Sequence, residues 1–446
     1  MTGGVFAIRN IRLFIAFRVF FNNRFYYPVF TILFVDYGLT VEQFSLLNTI
    51  WALTVVAAEV PSGALADAFG RKRLVVLAAA LTTVELAAMA FAPTGNASLL
   101  FSLFLASRVL SGLADAASSG TDEALAYDSL AAAGLAYEWP KALSAQMRLT
   151  ALFFVVTSIS GAMLYDPAAM NTLCGYFGLV PHLTQSDTMR FPMYAALALA
   201  IINLPVALAF QEKARLRRGG FLRQLRRGTA NIATAARWIV ATKLAMAIIF
   251  IGMAYDHILR LIATITSQYF RVCGLAESRF GLVNAAVSVM GLFVPKLAEW
   301  LVGRYPLGVN WLITAAISLT GFFLLASFQL WLGITAVLLT FMAMTLTSFF
   351  TSHYLNAICD SGIRATVLSF KGMVFNLGYG LAGILFAFAM RAGHDTTADG
   401  AAGFIPAVRL FPWYFLVLLA VFLPLCWRCG RHAEAGRGPG SKNMEK

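Results

Sequence analysis

Arg108 and Asp115 stand seven residues apart inside an apolar run, and Asp256, His257 and Arg260 crowd into another. A charge at the centre of a bilayer is costly, so ionisable residues in such runs mark ion or substrate pathways. Seven residues are about two helical turns, which puts Arg108 and Asp115 on nearly one face. A buried carboxyl group without a partner keeps its proton readily, and this suits a proton carrier. The alternative is an Arg108–carboxylate pair that only fixes helix packing. Asp256 and Arg260 are spaced to pair on one face, and an imidazole such as His257 titrates near neutral pH. Arg108, Asp115, Asp256 and His257 are therefore the expected proton-coupling residues. A third run carries Arg18, Asn22, Asn23, Arg24, Tyr26 and Tyr27. Lipid does not tolerate polar groups on so many faces, so some of them must line a wet cavity. Arg18, Asn22, Tyr26, Arg260 and Asn376 are the expected cavity residues. Arg148 and Lys371 can face inward too, or snorkel to the nearby surface.

The elements that hold these residues are membrane helices. Of the 446 residues, 59% are hydrophobic and 12% charged, and the mean hydropathy is +0.74. A soluble domain has about 25% charged residues. Apolar runs long enough to cross a core of roughly 30 Å lie near 12–34, 43–66, 73–93, 98–120, 144–164, 190–210, 243–267, 279–301, 308–328, 330–352, 366–390 and 409–426. The expected fold class is thus an all-α integral membrane protein with twelve transmembrane helices.

The net charge of +13 sits on particular loops. Lys213, Arg215, Arg217, Arg218, Arg223, Arg226, Arg227 and Arg237 follow the sixth run against one acid, Glu212. Arg71, Lys72 and Arg73 follow the second run, and Arg428, Arg431 and Arg437 occupy the tail. By contrast, the connections after the first, third and ninth runs, and the long 165–189 stretch, carry no Lys or Arg. This asymmetry places both termini in the cytoplasm. The basic patches then face anionic lipid, not nucleic acid. The first run is of full span length and lacks a small-residue cleavage site, so no cleavable signal peptide is expected. Short loops without targeting sequences favour a bacterial inner membrane. Five cysteines, with one CxxC at Cys426 and Cys429, define neither a disulfide framework nor a metal site.

The basic segment splits the runs six and six. The expected domains are a bundle at 1–210, a central loop at 211–237, a second bundle at 238–427 and a tail at 428–446. Leu65-Ala66-Asp67 is echoed by Leu297-Ala298-Glu299, 232 residues later. Gly70-Arg71 is echoed by Gly303-Arg304, and Tyr127-Asp128-Ser129 by Cys359-Asp360-Ser361. The order and near-constant offset point to two related halves.

The turn between runs two and three reads Gly63-x-Leu65-Ala66-Asp67-x-x-Gly70-Arg71-Lys72-Arg73. It resembles the signature loop of the major facilitator superfamily, G-x-L-a-D-r-x-G-r-k, with Ala68 where arginine is usual. Glu59-x-Pro61-Ser62-Gly63 resembles a variant found in many bacterial members, and Arg108-Val-Leu-Ser111-Gly112 resembles a second motif, R-x-x-q-G. The resemblance extends over the whole chain and implies two pseudo-symmetric six-helix bundles around a central cavity. It also implies a gating latch of Gly63, Asp67, Gly70 and Arg71, in which Asp67 meets the start of span eleven near Arg364. Arg71 then pairs with an acid after span four, Asp128 or Glu123. The plainer alternative is that these arginines only set topology.

The resulting expectation is a secondary transporter of a small organic molecule, working by alternating access, coupled to protons and directed outward. Against export, the antiporter motif G-P-x-x-G-G has no counterpart in Ser158-Ile-Ser160-Gly161-Ala162. A facilitative or uptake transporter is the alternative of the same fold. No Walker loop, GxSxG or HExxH occurs, so no ATPase or hydrolase chemistry, cofactor or metal is expected. Rivals from other classes are a polytopic membrane enzyme, for which the long 165–189 connection offers only His182 and Asp187, and a transporter-derived receptor. The expected partners are a small-molecule substrate, protons and membrane lipid. Nothing argues against a monomer, and the residues do not name the substrate.

Overall fold

The computed structural model describes residues 4–180, 182–212, 220–359, 363–393 and 403–435. Lys213, Arg215, Arg217, Arg218, Asp360, Ser361 and Arg437 lie outside the described residues, as do the side chains of Cys426, Arg428, Cys429 and Arg431. Among the described residues the chain is helical, without strands.

One compact unit comprises Met1–Thr229 and Ser267–Ser288. It contains α1 (Arg9–Asn22), α2 (Phe30–Tyr37), α3 (Val41–Phe69), α4 (Arg71–Ala90), α5 (Ala97–Ser118), α6 (Thr121–Ala132), α7 (Trp139–Tyr165), α8 (Pro167–Tyr176), α9 (Gln185–Thr188) and α10 (Phe191–Leu208). Three helices, α11 (Phe221–Ala241), α12 (Lys243–Val272) and α13 (Phe280–Arg304), have residues in both units. The other unit comprises Ala230–Thr266 and Val289–Lys446. It holds α14 (Leu307–Leu325), α15 (Leu330–Ile358), α16 (Arg364–Ala392), α17 (Phe404–Arg409) and α18 (Phe411–Ala435).

Eleven segments among the described residues are long and apolar enough to cross a membrane. The first run expected from sequence is not one of them, because it is divided. Helix α1 stops at Asn22, Asn23 is extended, and α2 begins only at Phe30. Pro28 is part of this break: it lacks an N–H to carry the helix on and lies in the short 3₁₀ turn Tyr27–Val29, after Asn23 has already turned extended. The central segment also differs from the expected loop, since residues 221–241 form α11. Ala235 and Ile239 are buried on one side of it, while Arg223, Arg226, Arg227 and Arg237 are exposed on the other. That division is the helical period of an amphipathic segment.

In the first unit, α4 packs on α5 and α10, and α3 on α5. Gly112 lets α5 lie against α3, for a Cβ there would stand 2.9 Å from the Trp51 carbonyl oxygen. Phe14, Phe17, Phe21 and Phe210 fill the core beside α1. A Thr40–Gln43 capping box starts α3. In the second unit Trp311, Tyr255, Phe322 and Phe415 form a buried aromatic core, and the Tyr255 hydroxyl donates to the Trp311 carbonyl at 2.8 Å.

The break in the first run demands a glycine on its neighbour. A Cβ on Gly161 of α7 would lie 1.8 Å from the Phe25 carbonyl oxygen. Gly161→Ala is therefore expected to cost at least about 1–3 kcal/mol as overpacking, read as a lower midpoint of thermal unfolding in detergent. Gly175→Ala, where nothing lies within 4 Å, serves as the control and leaves the midpoint nearly unchanged.

Candidate functional site

The first unit carries a buried charge cluster. Arg108 on α5 and Glu85 on α4 are 4% and 1% exposed, and Arg108 Nη2 donates to Glu85 Oε1 at 2.8 Å. Arg108 also lies over the rings of Phe30 and Phe34, at 5.6 and 5.7 Å. Such faces favour a guanidinium out of water. The pairing is incomplete: Glu85 Oε2 and Arg108 Nε are buried without a hydrogen-bond partner. Asp115 does not take Arg108. Its Oδ2 accepts from Trp51 Nε1 of α3 at 2.9 Å. Arg24, in the break between α1 and α2, is 6% exposed and lies 5.5 Å over the Phe21 ring. It makes no ion pair among the described residues. Tyr26 is buried, with its ring edge-on to Tyr27.

Glu85 is the residue that the sequence reading passes over. It is the single carboxylate inside the third run, so the rule that singles out Arg108 and Asp115 names it equally.

Arg18 and Asn22 stand differently from Arg108. The Arg18 guanidinium pairs with Asp122 and Glu123 of α6, its Nη2 lying 2.9 Å from a carboxylate oxygen of each. Its charge is thus answered inside the first unit, at the Gly70 end of the bundle. Asn22 is half-buried as the last residue of α1.

The second unit has its own polar cluster. Arg260 Nη2 meets Asp256 Oδ2 at 2.5 Å one turn away, and Nη1 donates to Asn376 Oδ1 of α16 at 2.8 Å. The guanidinium lies 5.4 Å over the Tyr379 ring. Nearby, Lys371 Nζ sits 5.4 Å over Phe375. Two glycines bring α16 this close to α12. A Cβ on Gly378 would lie 2.7 Å from Met253, and one on Gly252 would lie 2.8 Å from Phe375. His257 has both ring nitrogens engaged: Nδ1 donates to the Met253 carbonyl at 2.7 Å, so in the neutral ring Nε2 accepts from the Tyr414 hydroxyl at 2.8 Å. This tautomer follows from the carbonyl, which can only accept.

The charged turn is organised by an unexpected acid. Gly70 has φ +99°, a conformation that favours glycine, and starts α4 directly after α3. Glu212 accepts from the backbone N–H of Arg71 and of Lys72, both at 3.0 Å, and so satisfies the first turn of α4. Arg71 Nη1 pairs with Asp128 Oδ2 at 2.6 Å, and Glu123 turns to Arg18 instead. Gly63 is exposed and Asp67 half-buried near the end of α3. In the 165–189 connection, the Asp187 carboxylate caps α9 through the Thr184 N–H at 2.9 Å. That carboxylate holds local structure.

Eleven apolar, membrane-length segments among the described residues, with charged groups paired inside them, make this a multi-pass integral membrane protein. Residues 12–386 match the model of the Major Facilitator Superfamily, and the chain belongs to that family. Solved structures agree on the fold. The nucleoside transporter NupG superposes with a TM-score of 0.71 at 14% identity, covering 95% of this chain and 99% of that one. A bacterial homolog of the human lysosomal transporter Spinster, inward-facing and unoccupied, gives 0.66 at 15% identity, with 96% of each chain covered. A D-xylose–proton symporter gives 0.65 at 12%, covering 95% of this chain and 96% of the other. No curated protein matches the sequence.

A buried ion pair is most costly when only one partner is removed. Arg108→Met is expected to destabilise the protein by about 3–5 kcal/mol. Glu85→Leu together with Arg108→Met should recover most of that loss. Thermal unfolding of the two purified variants beside wild type tests the pairing.

Proposed function

We propose that the protein is a proton-coupled secondary transporter of a small organic molecule, working by alternating access in a bacterial inner membrane with both termini cytoplasmic. Family membership and the transporter structures that share the fold support transport over enzyme chemistry. The observation that carries the coupling is the half-satisfied pair of Glu85 and Arg108. A proton on Glu85 Oε2 cancels the acid's charge and leaves Arg108 without its anionic partner. The charge state of the cluster then depends on one proton, which is what a coupling site requires. Asp115, held by Trp51, is the second carboxyl in reach of this change, and Asp256 with Arg260 and His257 is the corresponding group in the second unit. Arg24, Tyr26, Arg260 and Asn376 are the residues we assign to substrate.

Outward transport is our reading from the resemblance of the charged turn and of the Arg108 motif to those of exporters. Uptake is the second reading, and one feature favours it. Residues 158–162, where the antiporter motif would lie, are used for close packing through Gly161. A proton symporter is also among the proteins that share the fold.

The test is charge displacement in liposomes after a pH jump, without substrate. Wild type should give a transient current, lost in Glu85→Gln and reduced in Asp115→Asn. Loss in Asp256→Asn alone would move the proton site to the second unit. A wild-type protein without current overturns proton coupling.

A further inference from the structure

The spanning segments on either side of the 165–189 connection end at Tyr165 and resume at Gln185. Between them the polar groups hold the chain in place. Asp166 Oδ1 accepts from the Ala168 and Ala169 N–H groups at 2.9 and 3.3 Å, and so caps α8. At the far end of α8, Gly178 turns the chain with φ +72°, and the Leu179 N–H returns to the Cys174 carbonyl at 3.1 Å. Asn171 then clasps the returning chain. Its Nδ2 donates to the Leu183 carbonyl at 2.9 Å, and its Oδ1 accepts from the Leu183 N–H at 3.0 Å.

This frame presents large apolar side chains outward. Tyr176, Phe177, Leu179 and Val180 are 84%, 76%, 59% and 81% exposed, and α8 buries none of its 10 residues. Single exposed apolar groups are ordinary. Four of them within residues 176–180, on a loop tied down this closely, make a patch that needs a partner.

Two classes of partner take such a patch, another protein or the membrane itself, and composition and position choose the second. Residues 167–180 carry no Asp, Glu, Lys or Arg, whereas protein interfaces are enriched in Arg and ringed by polar groups. Asp166 alone separates the end of the spanning helix α7 from α8, so the patch begins at the surface of the bilayer. The boundary between headgroups and acyl chains accepts an uncharged segment of this kind, with a tyrosine hydroxyl at the polar edge and the apolar groups below it. We propose that α8 and the tip that follows it are a membrane anchor. Tyr176, Phe177, Leu179 and Val180 sink into the leaflet opposite the basic Gly70 turn, and the chain between α7 and α9 lies along the lipid surface instead of standing in water. The anchor goes beyond the transport reading and does not depend on it.

The test places a nitroxide label on Phe177→Cys or Val180→Cys of the full chain, with the five native cysteines replaced, in liposomes of phosphatidylethanolamine and phosphatidylglycerol. Both positions are exposed, so the exchanges leave the packed bundle untouched. Collisions of the label are measured with oxygen, which collects in lipid, and with a nickel chelate, which stays in water. The water control is Thr94→Cys, exposed in the α4–α5 connection at the same end of the unit, where Arg190 donates to the Ala92 carbonyl at 3.0 Å. With the tip sunk about 5–10 Å into the boundary, the oxygen-to-chelate ratio should exceed that of the control by at least about threefold. Phe177→Asp with Leu179→Asp should return the Val180→Cys label to the control ratio, and a ratio that stays high there counts against the anchor. A control-like ratio at both label sites puts the tip in water and overturns it. Few collisions with either reagent mean that a protein covers the patch, a second copy or another partner, and overturn it equally.

Discussion

Where the chain leaves α1 at the fully buried Asn23, several backbone groups lose their intrahelical partners inside the packed bundle. Much of the first unit is arranged around that constraint. The Thr31 N–H, at the start of α2, is taken by Ser267. The Asn23 amide nitrogen returns to the Val19 carbonyl at 2.7 Å. The Phe25 carbonyl lies against α7, and only a residue without a side chain can stand opposite it. A buried arginine, Arg24, occupies the gap itself. The break thus places a cation, two tyrosines and exposed peptide dipoles beside Arg108 and Glu85, where a continuous helix would present only its side-chain stripe.

The two polar clusters are built on different logic. In the first unit, the charges come from separate helices, Glu85 from α4, Arg108 and Asp115 from α5 and Arg24 from the broken segment. Pairing there reports helix packing, and some polar atoms are left over. In the second unit, Asp256 and Arg260 pair within one helix, with Asn376 as the outside partner of Arg260, while Tyr414 bonds to the neighbouring His257. A pair within one helix needs no tertiary arrangement to form, which makes it the less responsive of the two to movement of neighbouring helices.

Length and hydropathy made most helices legible, since an apolar run of about 20 residues has few alternatives to a membrane helix. They failed at the first run because a window average passes over the polar Asn22-Asn23-Arg24 stretch where the helix stops, and hydropathy does not register the N–H that Pro28 lacks. The charged turn was legible as a motif, but not its partners. Only the phase of α6 sends Glu123 to Arg18 and Asp128 to Arg71. Trp51 with Asp115, and His257 with Tyr414, join distant parts of the chain that no periodicity relates. Glu85 is a different case: as the lone carboxylate of an apolar run it is legible by type and position, though no motif contains it. Glu212 is legible as a charge, while its use as a helix cap depends on how the chain returns to Gly70.

The contact between Gly161 and the Phe25 carbonyl also bears on descent. The close approach exists because the first helix is broken, and no side chain can be accepted at 161 while it persists. Restoring a continuous helix would withdraw the backbone that Gly161 accommodates and leave a void. Neither change is favourable before the other, and neighbouring sites of this kind do not act additively. A single substitution at either place therefore meets a barrier that the two changes made together would not, and the broken helix and its glycine behave as one unit of change.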